Sequence, residues 1–222
     1  MSTIRRRHPG TVARTGAPGL RRLDEIVRLP RRSPLARELE VALAAAGRLH
    51  GLSSDLECLP VRTTATTSEA SAYRYLWADP IDVRVSRAVG RPGDAFLHEL
   101  GHFVDHQLGY DRETRAWASS WHPAFAGWRA AIAELPRPVF RAADGFRRAF
   151  HSVRELWARC YAQTVLARSG DPALEAHLEA LQRTQDPFVW SAPVFEPVAL
   201  EVAAVFDGLG IGRAAPRPAL AA

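Results

Sequence analysis

The stretch Phe96–His106, FLHELGHFVDH, limits what this chain can fold into more than any other segment. Placed on a helical wheel at about 100° per residue, the surrounding helix divides into two arcs. Phe96, Leu97, Leu100, Phe103, Val104 and Leu108 share one arc, and His98, Glu99, His102, Asp105 and His106 share the other. An apolar arc this continuous has to pack on a core. A polar arc is ordinarily a solvated face built from Arg, Glu, Gln and Ser. All 29 basic residues of the chain are Arg, yet none stands in this arc.

His98 and His102 are four residues apart, which stacks their imidazoles one turn above the other and lets both nitrogens reach one ion. Glu99 lies beside them, where a carboxylate can take a proton from a water held by that ion. By chance alone HExxH would arise in about one or two such chains per hundred. The clean wheel, and Gly101 thinning the helix beside the histidines, raise it to an expected metal site. His106 continues the spacing but lies about 12 Å along the axis from His98, too far to share an ion. It is expected to be an outer-shell or surface histidine. Asp105 is expected either to accept the second N–H of His102 or to be solvated.

A catalytic zinc usually takes three protein ligands and a water. HExxHxxGxxH would need Gly at 105 and His at 108; Asp105 and Leu108 stand there, which excludes the metzincin arrangement. The other common solution is a Glu from a later helix, and the best candidate is Glu155 in HSVRELWARCYAQTV. Leu156, Trp157, Cys160, Tyr161, Thr164 and Val165 form one side of that helix, and Glu155 shares the other with Ala158 and Ala162. Small residues there admit a second helix closely. The competing role for Glu155 is a capping box with Ser152. Glu134, Asp144, Asp111, His122 and His151 are alternative ligands.

HELGHFVDHQLG, followed about fifty residues later by ELWARCYA, resembles the zincin metallopeptidases of the HExxH…E (gluzincin) type. It is most similar to the anthrax-lethal-factor-like domains and to zincin domains of phage and mobile-element polyproteins. The resemblance spans roughly residues 70–168. It implies a zincin-like fold, Zn2+ held by His98, His102 and Glu155, and Glu99 as general base in hydrolysis of a peptide or protein substrate. The chain departs from that family where a Tyr often precedes the Glu ligand: Phe146, Phe150 and His151 stand there instead. His151, Tyr161 and Arg159 are the candidates for stabilising an oxyanion. The strand Ile81–Ser86 is a candidate for pairing with an extended substrate.

The rest of the chain points to an α+β protein with a small N-terminal sheet and a mainly helical C-terminal part. ECLPVRTT, AYRYLWA and IDVRVS read as strands. Helices are expected from a Ser33 cap to Gly51, over about 93–108, over Ser120–Leu135, from Ser152 to about Arg168, and over 172–183 and 196–208. Residues 1–32 read as an Arg-rich flexible tail with a short helix near 22–28, residues 33–210 as one domain, and 211–222 as a frayed tail. The net charge of +5 and the basic tail make nucleic acid a weakly supported partner. A binding module of this fold without turnover, or a sensor-protease acting on a repressor, would share the same motifs. No apolar run approaches the roughly 18 residues of a membrane span. Cys58 and Cys160 are too few for a disulfide framework, so a reducing cytoplasm is the expected setting. The six Trp are expected mostly in the core, and His8, His50 and His177 at the surface.

Overall fold

The computed structural model describes residues 19–65, 71–136 and 150–212. In chain order the elements are β1 (Leu20–Arg21), α1 (Leu23–Ile26), β2 (Val27–Arg28), α2 (Ala36–Leu49), β3 (Leu52–Ser53), β4 (Leu59–Thr64), β5 (Ser71–Leu76) and β6 (Asp79–Ser86). Then come α3 (Pro92–Gly109), α4 (Ala118–Trp121), α5 (Ala126–Ala133), α6 (Val153–Arg168), α7 (Pro172–Arg183) and α8 (Ala192–Gly208). This is an α+β arrangement, as expected. No helix among the described residues is long and apolar enough to cross a membrane.

The main sheet has the order β2-β4-β6-β5. β2, β4 and β6 run parallel, and β5 returns antiparallel to β6 as the edge. β5 and β6 are joined through Trp77 and Ala78, with Trp77 held at φ 57°, a conformation L side chains rarely adopt. The alternation read in IDVRVS is present, with Val83 and Val85 fully buried, although Ile81 is exposed. Asp82 is not on a solvated face: it is buried beneath three arginines. Because β4 and β6 are paired and β5 flanks β6, Ile81–Ser86 has no free edge and cannot take up a substrate strand.

α3 packs its apolar arc on the sheet and α2, and α6 crosses it on the other side. Most of its polar arc is buried too: Glu99, His102, Asp105 and His106 are all under 10% exposed, and His98 is half-buried. The wheel identified both faces, but α3 is a central helix rather than a surface one.

Several boundaries differ from the sequence reading. Leu23, Ile26 and Val27 are buried and β2 joins the main sheet, so residues 19–32 belong to the folded unit rather than to a tail. Residues 1–18 and 213–222 lie outside the described residues. At the other end Ile211 is buried and Gly212 bridges His50, so these two residues are ordered against the fold. Ser33 does not cap α2 itself; its Oγ accepts from Leu35 N at 3.1 Å, and the helix starts at Ala36. The helix expected over Ser120–Leu135 is broken into α4, a 3-10 turn at Pro123–Phe125, and α5. Pro123 forces the break, because the residue before a proline is driven out of helical conformation and His122 sits at ψ 134°. Trp117, Trp128, Trp157 and Trp190 are core, whereas Trp77 and Trp121 are exposed. Both cysteines are free, and burial pushes the Cys160 thiol up to about 12.

Candidate metal centre

Ser152 starts α6 by accepting from Glu155 N through its Oγ at 3.4 Å, which is the serine half of a capping box. The glutamate half is missing. The Glu155 carboxylate instead meets α3, with Oε2 3.1 Å from His98 Nε2 and Oε1 3.2 Å from His102 Nε2. The two imidazoles lie 4.7 Å apart, centre to centre, and at 89° to each other.

This meeting needs α3 and α6 to touch, and small residues allow it. A Cβ built on Gly101 would stand 3.0 Å from Ala158 Cα and 3.1 Å from the Tyr161 ring. Trp157 fastens the contact by donating its indole N–H to Gly101 O at 3.0 Å. Glycine at 101 and alanine at 158 are therefore requirements of the crossing, and the crossing delivers Glu155 to the histidines.

One ligand atom from each of His98, His102 and Glu155 lies within 4.8 Å of the others. In a tetrahedral zinc site with bonds of about 2.0–2.1 Å, ligand atoms stand about 3.3 Å apart. The separations of 3.1 and 3.2 Å run to the two different oxygens of the carboxylate, so the three residues match zinc by donor type and stand close enough to converge on one ion. Their electrostatics agree. Burial opposes ionisation of Glu155, but the hydrogen bonds and charges of His102 and His98 prevail and hold its carboxyl well below the usual carboxylate range. Burial also opposes charge on His102, and Glu155, Glu99 and Asp105 outweigh it to raise its pKa. His102 Nδ1 is buried without a hydrogen-bond partner.

Glu99 is 6% exposed and bound on both oxygens by the edge strand. Ser71 Oγ donates to Oε1 at 2.8 Å, and Tyr73 N donates to Oε2 at 2.5 Å. Neither partner was anticipated from the sequence, because only the strand register places them over α3.

The other expectations fare differently. Asp105 does not reach His102 Nδ1; it accepts from Ser119 N and Ser119 Oγ, both at 2.6 Å, and burial lifts its pKa to about 6 against those bonds. His106 is neither a surface nor an outer-shell group. It is 1% exposed, accepts from Tyr73 OH at Nδ1 (2.8 Å) and donates from Nε2 to Trp77 O (2.8 Å). Tyr161 is fully buried with its hydroxyl 2.8 Å from His50 Nε2, so it is not available to an oxyanion, and His50 is not a surface residue. Arg159 donates from Nη2 to Phe150 O and from Nε to Glu155 O and lies over the Phe150 ring, while its Nη1 is buried without a hydrogen-bond partner. His151 is outside the ligand cluster, its ring edge-on to Phe150 at 5.3 Å. Asp111 holds its own turn by accepting from Glu113 N and Thr114 N, Glu134 is exposed at the C-terminal cap of α5, and His122 caps the 3-10 turn. Asp144, Phe146 and His8 lie outside the described residues.

Two further donors lie near the cluster. Trp117 is 4% exposed, stands edge-on to His102 at 5.6 Å, and its Nε1 has no hydrogen-bond partner. The guanidinium of Arg154, the residue before Glu155, lies 4.8 Å over the Trp117 ring.

No known protein family, curated protein or solved structure matches this chain.

Proposed function

We propose that the chain is a zinc-dependent peptide hydrolase of zincin type, with His98, His102 and Glu155 as ligands and Glu99 as general base. The observation that carries this reading is the convergence of both Nε2 atoms on the Glu155 carboxylate at 3.1 and 3.2 Å, from elements 57 residues apart. A zinc ion held there would lower the pKa of a water toward about 7 and polarise an amide carbonyl.

The chain's own residues supply the rest. Glu99 takes the proton from the attacking water and delivers it to the leaving amine. Ser71 and the Tyr73 backbone fix the direction of its carboxylate before substrate arrives. Negative charge developing on the carbonyl oxygen requires a donor; Tyr161 is excluded by its bond to His50, and Arg159 is turned away to Phe150 O and the Phe150 ring. Trp117 Nε1–H, which has no partner, and Arg154 stacked on its ring take that role.

The bonds on Glu99 also favour a second reading, a binding module of the same architecture in which Glu99 only ties α3 to β5. The two readings separate in one experiment. The hydrolase requires stoichiometric zinc and peptide cleavage that Glu99→Gln abolishes while zinc and fold persist. Wild-type protein that is fully loaded with zinc and cleaves nothing across a diverse peptide library contradicts it.

A further inference from the structure

We propose that the outer face of the main sheet is a docking face for the phosphate backbone of nucleic acid, independent of the metal centre. Residues alternate between the two faces of a strand, and the register decides which side chains share one. Val61, Val83 and Val85 face the core. On the opposite face Arg62 stands directly beside Arg84, and Arg74 directly beside Asp82, across three adjacent strands.

These residues form one cluster. Arg62, Arg74 and Arg84 each bring Nε to the Asp82 carboxylate, at 3.2, 3.2 and 3.4 Å. The carboxylate is 4% exposed, while the arginine side chains remain 64%, 41% and 41% exposed. One anion offsets one cation, so two positive charges are in excess. Like charges directly opposite each other across strands are destabilising, and Arg62 beside Arg84 is such a pair. The sheet carries this cost on a face where any small polar residue would avoid it. With Nε committed to Asp82, each guanidinium keeps its terminal nitrogens for an external anion, the fork geometry suited to phosphate. Exposed Arg28 on β2, paired with Pro60, continues the face across the fourth strand.

The neighbouring side chains select the class of partner. Pro60, Thr64 and Ala72 fill this face between the arginines. Protein partners are gripped by buried aromatic or large apolar anchors; here Leu76 and Ile81 are exposed only at the hairpin end of β5 and β6, and none stands among the arginines themselves. Nucleic-acid interfaces are polar and strongly positive instead. With no aromatic here to stack a base, contact falls on the backbone, which makes binding sequence-independent and steeply salt-dependent.

The test uses the full chain and labelled oligothymidine and duplex DNA of about 20 nucleotides, with anisotropy followed between roughly 50 and 200 mM salt. Arg62→Gln/Arg74→Gln/Arg84→Gln is compared with Arg37→Gln/Arg112→Gln/Arg183→Gln, which removes equal charge from scattered exposed sites. The sheet variant is also made with Asp82→Asn, so that no buried carboxylate is left unpaired, and the single exposed change Arg62→Glu guards against misfolding. Each phosphate neutralised contributes about −0.7 to −0.9 to the log–log salt slope, so the sheet variant is expected to flatten it by about 2 and weaken binding at least tenfold. The scattered variant is expected to weaken it less than about threefold. Equal losses in both variants, no loss in the sheet variant, or polyglutamate displacing DNA as well as DNA itself would overturn the proposal. Metal removal is expected to leave binding unchanged, so failure here is separate from failure of the hydrolase reading.

Discussion

In the first turns of α3, His98 and His102 direct Nε2 to one carboxylate brought by another helix. One turn further along the same arc, Asp105 and His106 carry the same kinds of side chain and are closed off entirely. Asp105 is held by two bonds from Ser119, and His106 is tied at both nitrogens to the β5–β6 hairpin. The halves differ in exposure, since His98 and Glu155 keep 24% and 34% of their side chains open while Asp105 and His106 are sealed. They differ as well in where the partners come from. The C-terminal half is satisfied by neighbours that demand nothing more, whereas the N-terminal half converges on a point between three ligand atoms and leaves His102 Nδ1 and Trp117 Nε1 without partners beside it. Convergent, incompletely satisfied groups suit chemistry, and reciprocally satisfied ones suit structure.

The contrast yields graded tests. The largest effect belongs to the convergent half: Glu155→Ala should weaken zinc binding more than about 100-fold, equivalent to roughly 3 kcal/mol. Competition with a chromophoric chelator measures it.

The satisfied half should respond to pH instead. Burial lowers the His106 pKa to about 4, against the bonds to Trp77 and the charge of Asp79 that favour its protonated form. A histidine with a depressed folded pKa contributes stability above its unfolded value near 6.5 and loses it as pH falls toward 4. The loss amounts to about 3 kcal/mol. Asp105, with its pKa raised to about 6, acts in the opposite sense: its contribution is present below the unfolded value near 3.8 and lost as pH rises through 6. The clean measurement is therefore the difference in urea unfolding between wild type and His106→Gln over that range, which should isolate the acid-side loss.

Asp105→Ala should cost about 2 kcal/mol by stranding the Ser119 donors, with zinc affinity unaffected. A zinc defect in this variant would erase the boundary between the two halves. The smallest effect is at Ser71. Ser71→Ala should cost about 1 kcal/mol of stability. It should lower kcat roughly five- to tenfold with KM and zinc content unchanged, and Ser71→Thr should restore the rate.

What the sequence disclosed follows the range of its signals. The α3 arcs, His98 and His102 are set by the helical repeat, and Glu155 was visible through Ala158 and Ala162 on its own face. The break at Pro123 was visible as a proline, but the polar-apolar pattern of the flanking helices outweighed it. Ser71 and the Tyr73 backbone could not be found that way, because their approach to Glu99 depends on β5 folding back along β6. The same holds for His106 and Asp82, which look like surface residues until strands and loops from elsewhere cover them. β2 was hidden by arginines, although Leu23, Ile26 and Val27 supply the buried contacts.

X-ray absorption at the zinc edge of the loaded chain tests the central claim most directly. Two imidazoles and one carboxylate oxygen at about 2.0–2.1 Å are expected, with one imidazole lost in His102→Ala. A sulfur ligand, a single imidazole in the wild type, or a spectrum that His102→Ala leaves unchanged would contradict it.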